Sequence, residues 1–213
     1  MRPLYILFSA LVVLAMPSQA ANSAFATIQF EDVVQLALPR SWIYLDKNVA
    51  AHLNTSSEAV GRIVGIPINQ GDNRILVAAN AYDTTGKSKA TLRLSVRAGS
   101  SPSQQEFQDF AKQPPQFIQE TLLPAAKETA DAMLKVSGIN SYKVIGVKLD
   151  YNGKLYCARS TFEADYGGRV VISDTWVCPL SNRLLKLTVS YEKQSQAVYQ
   201  PTVDYVWRSL SAK

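Results

Sequence analysis

Hydrophobic and polar residues alternate with period two over most of 142–191, the signature of strands with one face turned to a core. Three turn signals interrupt this run: Asn152-Gly153, Gly167-Gly168 and the segment Pro179 to Asn182. The pattern predicts four antiparallel strands joined as a meander. An Asn-Gly pair favours a two-residue type I′ loop, which sets Tyr151 opposite Lys154, Leu149 opposite Tyr156 and Val147 opposite Ala158. With Gly167-Gly168 as the second loop, Tyr166 faces Arg169, and the same register carries Cys157 to a position opposite Cys178.

These are the only cysteines. Counted back from the Tyr166/Arg169 pair, they fall at a non-hydrogen-bonded position, where side chains come closest, so a cross-strand disulfide is expected. A redox dithiol would show Cys-x-x-Cys spacing, which is absent. One sheet face collects Leu155, Cys157, Ile172, Trp176, Cys178, Leu185, Leu187, Val189 and Tyr191; the other carries Ile145, Val147, Leu149, Tyr151, Tyr156 and Phe162. Two apolar faces need cover on both sides. The fold class this predicts is α+β: a single-domain α/β/α sandwich with a central antiparallel meander sheet and helices on both faces.

Elsewhere the pattern is more varied. FATIQFEDVVQLALPRSWIYLD reads as a strand, a turn and a second short strand, with Trp42 placed at the core edge; RIVGIPIN and RILVAANAY read as strands, with a loop or short helix over 50–61 before them. DTTGKSK reads as a hairpin loop. ATLRLSVRAG alternates with Leu92, Leu94 and Val96 inward and Arg93, Ser95 and Arg97 outward. Ser103 and Glu106 form a capping-box signature that starts a helix through Phe107 and Phe110, ended by Pro114-Pro115. A second helix is expected over about 116–136 with Gly138 as its stop, and Pro124 is expected to kink or split it. QPTVDYVWRSL reads as a last helix, with Pro201 in its first turn and Val203, Val206, Trp207 and Leu210 toward the sheet.

Residues 1–20 combine Arg2, an apolar run from Leu4 to Met16 and the ending Ser18-Gln19-Ala20, the pattern of a secretory signal peptide. The reading is a signal over 1–20 and one domain over 21–213, periplasmic or secreted, with no stable membrane anchor after cleavage. The formal charge of +5 over 213 residues is spread along the chain without interleaved aromatics, which speaks against nucleic acid as a partner.

No phosphate loop, His-Glu-x-x-His, Gly-x-Ser-x-Gly or metal-ligand cluster occurs, and His52 is the single histidine. No cofactor or metal is expected. One polar group stands out: the register sets Arg159 opposite Trp176 and Thr161 opposite Asp174, with Glu163 next on the same face. This group is either a structural lid, with Arg159 over the Trp176 ring, or the mouth of a ligand pocket formed by Arg159, Glu163, Asp174 and Trp176.

The order of elements, the turn LPRSW early in the chain, and LLKLTVSY followed by a Pro-led helix ending in Ser-Leu resemble the PsbP-like fold group. That group includes an extrinsic subunit of the photosynthetic oxygen-evolving complex, a Ran-binding import factor and many bacterial exported proteins. The resemblance implies an α/β/α sandwich serving as a binding or accessory module without a catalytic site, and it carries over no metal or partner residues. The function expected is a non-catalytic binding or assembly-accessory protein of the cell envelope with an envelope or secreted protein partner. The alternatives are a small-molecule-binding protein or hydrolase at the polar end of the sheet, or a secreted effector or inhibitor.

Overall fold

A computed structural model describes residues 24–30, 34–45, 73–136 and 138–212. The signal-peptide reading, His52, the segment 50–61 and the strand read in RIVGIPIN lie outside them. Seven strands form one antiparallel sheet in the order β3 (Ile43–Tyr44), β4 (Asn73–Tyr82), β5 (Ser88–Ala98), β9 (Arg183–Glu192), β8 (Val170–Pro179), β7 (Tyr156–Asp165) and β6 (Ser141–Tyr151). A smaller sheet orders β1 (Phe25–Phe30), β2 (Val34–Pro39) and β10 (Ser211–Ala212). The stretch read as one strand before the LPRSW turn is therefore the antiparallel pair β1 and β2, with Phe30 opposite Val34.

The meander's second turn follows its sequence. Gly167 and Gly168 both take positive φ, +66° and +93°, the requirement of a type I′ loop. The Tyr166 N–H donates to the Arg169 carbonyl at 3.0 Å. Arg159 faces Trp176 and Thr161 faces Asp174, and Cys157 and Cys178 form the disulfide.

The first turn does not follow the Asn-Gly expectation. Tyr151 pairs with Tyr156 and Leu149 with Ala158, a register two residues away from the one the type I′ loop implies. The reason lies in Asn152. Among the described residues only Ser181 is a non-glycine with positive φ, so Asn152 does not take the left-handed conformation that the two-residue loop needs. The loop instead spans 152–155, closed by the Asn152 N–H donating to the Leu155 carbonyl at 3.3 Å. Its side-chain oxygen accepts from the N–H groups of Lys154 and Leu155 at 3.0 and 2.9 Å. Because the shift is an even number of residues, each side chain keeps its face. Before Gly146 the faces are exchanged: an irregularity between Val144 and Gly146 turns Ile145 outward, 52% exposed, and brings Tyr142 and Val144 onto the face of Phe162.

Among the described residues the helices are α1 (Gln104–Phe110), α2 (Pro115–Met133) and α3 (Gln196–Ser209). Ser103 and Glu106 make the reciprocal capping box at the start of α1. Pro124 does not split α2, which runs through it; the residue sits on the exposed side of the helix. α3 begins at Gln196, after a single 3₁₀ turn at Lys193–Ser195, so Pro201 lies beyond its first turn.

The nine residues assigned to one face of the meander all enter a single core, joined by Trp42, Leu92, Leu94, Val203, Val206, Trp207 and Leu210. α3 and the three-stranded sheet cover this face. Trp207 stacks on Trp176 with centroids 5.1 Å apart and planes at 15°, a contact contributing about 0.5–1.5 kcal/mol beyond its buried area. On the opposite face α2 lays Ala126 and Ala130 against Phe162, with Tyr142, Val144 and Val147 around them. The result is the expected α+β sandwich with helices on both faces.

Candidate functional site

Cross-strand register puts Arg159, Thr161, Asp174 and Trp176 on neighbouring positions of β7 and β8. Arg159 Nε and Nη2 both donate to Asp174 Oδ1, at 3.0 and 2.9 Å, and Thr161 Oγ1 donates to the same oxygen at 2.7 Å. The guanidinium carbon stands 4.8 Å from the Trp176 ring centroid. Asp174 is 1% exposed and Trp176 fully buried. Glu163 is not in this group: it faces Ile172 on β8, and its carboxylate accepts from Lys193 at 2.6 Å. Nearby, burial and then the Asp174 charge push the Tyr191 hydroxyl up to about 12. It stays protonated and donates to Gln200 Oε1 at 2.7 Å, and Gln200 in turn donates to Asp204 of α3.

A further member, Asp150, was not singled out from the sequence. In the observed register it faces Cys157. Its Oδ2 accepts from Trp176 Nε1 at 3.2 Å and lies 3.5 Å from both Arg159 Nη1 and Lys148 Nζ. The signal was present, an acid on the disulfide's face of β6, but the type I′ register sets it opposite Leu155, one pair further along the strand from Arg159 than its observed place opposite Cys157.

Asp150 also borders a groove of about 390 Å3 along β6. Its walls are the corner between α1 and α2, with Pro115 and Ile118, and the β6 segment from Val147 to Tyr151. Residues of both strand faces, Leu149 and Tyr151 on one and Lys148 and Asp150 on the other, line it together, so the groove runs along the strand's edge. Tyr151 stacks on Tyr156 at 4.3 Å and 21° and remains 52% exposed. Gln104 holds α1 against this wall: its amide accepts from the Tyr156 N–H at 2.7 Å and donates to the Tyr156 and Pro179 carbonyls. Nothing local in the sequence joins 111–119 to 147–156; only the tertiary fold does.

At the opposite end of the sheet, Glu192 is 2% exposed and accepts from Lys89 and Arg169, both at 2.8 Å, and from Gln194 at 3.0 Å. These bonds, the Lys89 one foremost, hold its carboxyl down to about 2. Among the described residues no group of three or more His, Cys, Asp or Glu is placed to hold a metal ion, and no helix is long and apolar enough to cross a membrane.

No family model and no curated protein matches the chain. Among solved structures, it is similar to cyanobacterial PsbP (CyanoP) from Synechocystis sp. PCC 6803, with a TM-score of 0.51 and 12% identity over 94% of this chain and 99% of that one. A protein from Bacteroides thetaiotaomicron VPI-5482 is similar at TM-score 0.47 and 12% identity, covering 87% of this chain and 47% of that one, so the chain spans about half its length. LpqN, involved in cell envelope biogenesis of Mycobacterium tuberculosis, is similar at TM-score 0.46 and 11% identity over 88% and 89% of the two chains. The chain thus has the PsbP-like fold that LPRSW and the closing segment suggested. At these identities the likeness is one of fold.

Proposed function

We propose that the chain is an exported, non-catalytic binding or assembly-accessory protein of the cell envelope that engages its partner at the groove beside β6. The groove's composition carries this reading: an apolar and aromatic lining with a few polar groups suits recognition. Export is supported by the disulfide, which persists in oxidising compartments, and by the signal-like pattern of residues 1–20. Arg159, Asp174 and Trp176 serve this function as the structural lid. Each spends its polar groups on the others or on Thr161 and Asp150, and Glu163 is neutralised by Lys193.

The test is affinity capture from the source organism's envelope and secreted fractions, comparing the oxidised mature protein with a Tyr151→Glu variant, with bound proteins and small molecules identified by mass spectrometry. Specific retention that Tyr151→Glu abolishes is the expected result. Equal retention by both proteins, or turnover of a released compound that survives Tyr151→Glu, would overturn the reading.

A further inference from the structure

β6 is the last strand of the seven-stranded sheet, with no strand beyond it among the described residues. It is eleven residues long, and an open edge of that length is a template for strand addition unless something blocks it. Its two halves differ. In 141–146 the bulge between Val144 and Gly146 breaks the regular ladder, and exposed Lys143 and Ile145 stand there. In 147–151 the pairing is regular, and the groove runs beside it. The exposed charges at this edge and its turn are Lys143, Lys148 and Lys154. Asp150, only 16% exposed, is already engaged by Trp176, Arg159 and Lys148.

Resting on the binding reading above, we propose that the Val147–Tyr151 edge of β6 takes an extended, acidic peptide segment of a partner protein as an added strand, with one apolar side chain of that segment filling the groove. The open edge supplies main-chain hydrogen bonds, which call for an extended backbone. The groove, walled by Ile118, Leu149 and the Tyr151/Tyr156 stack, takes an aromatic or large aliphatic side chain. The lysines select acidic residues around it and disfavour basic ones. A flat polar ligand would use neither the open backbone nor the basic border.

The probe is a phage-displayed library of random heptapeptides selected on the oxidised protein and, in parallel, on a Lys143→Glu/Lys148→Glu variant. Both lysines are exposed, and near-ultraviolet circular dichroism verifies that the variant keeps its core. The expected outcome is enrichment of peptides with acidic residues around a central aromatic or aliphatic one, depleted in proline, whose binding to the variant is weaker by about tenfold or more. Enriched peptides without acidic bias, tolerance of proline through the contact segment, or equal binding to the variant would overturn the proposal. A second titration, with indole followed by amide NMR, separates the two levels. Shifts at Ile118, Leu149 and Tyr151 without any peptide enrichment would reject the strand-addition proposal and leave the groove as a binding site, whereas absence of both would reject the groove as well.

Discussion

Asn152 joins two parts of the fold that are far apart in sequence, and its replacement has a calculable consequence. Its side-chain oxygen accepts two N–H groups of its own turn, and its side-chain nitrogen donates to the Trp207 and Leu210 carbonyls, both at 2.8 Å, at the C-terminal end of α3. Helix C-termini carry carbonyls without intrahelical donors, so this amide caps α3 from the meander. At about 0.5–1.5 kcal/mol net for each hydrogen bond, Asn152→Ala should destabilise the protein by about 2–4 kcal/mol, allowing for rehydration of the exposed turn. In a domain of this size that lowers Tm by about 5–15 °C. Asn152→Asp separates the two halves of the interaction. The carboxylate keeps the acceptor for the turn but sets negative charge against the negative end of the helix dipole, so Asp should be at least as damaging as Ala. Urea unfolding and calorimetry on both variants give the answer. An Asn152→Ala loss below about 1 kcal/mol, or an Asn152→Asp protein as stable as wild type, would refute the capping argument.

Other parts of the fold are open to equally direct tests. Replacing Cys157 and Cys178 together by alanine opens a loop whose ends are 21 residues apart; the expected loss is about 3 kcal/mol, read as the difference between oxidised wild type and the variant in urea, and no difference would contradict it. Arg159→Met leaves the Asp174 carboxylate buried with Thr161 as its remaining partner, which should cost about 3–5 kcal/mol, while Arg159→Met with Asp174→Leu should recover most of it; a double variant no better than the single one would count against the lid. Glu192 has a folded pKa of about 2, below its ordinary 4.5. A lowered folded pKa adds stability that is present above the unfolded value and lost as pH falls through the folded one. Stability should therefore decline from pH 4.5 towards about 2, and Glu192→Gln should flatten that part of the profile; an unchanged slope would show that Glu192 is not responsible.

How much of this was legible in the sequence depended on where the deciding groups lie. The β7–β8 hairpin, and with it the disulfide and the Arg159/Trp176 and Thr161/Asp174 rows, could be read because two adjacent glycines at 167 and 168 admit one tight loop. The β6–β7 hairpin was two residues off because Asn152 is recruited by α3, 55 residues away at Trp207, and a distant partner leaves no local mark. That slip hid Asp150. Alternation points Ile145 inward because it assumes an unbroken ladder; Gly146 within a strand is the one local hint of a bulge. Glu163 shares a face with Arg159 but lies nearer Lys193, which a strand register cannot reveal. The groove was invisible because helix and strand residues meet there only in the folded chain.

The central claim, that recognition occurs at the groove beside β6, is tested most directly by site-specific photocrosslinking in the source organism. p-Benzoylphenylalanine would replace Tyr151 in the groove or Tyr166, also exposed, at the opposite end of β7. The account predicts a discrete adduct from position 151 that is lost when Lys143 and Lys148 are reversed to Glu, and none from position 166. Adducts from 166 alone, or equally from both positions, would contradict it.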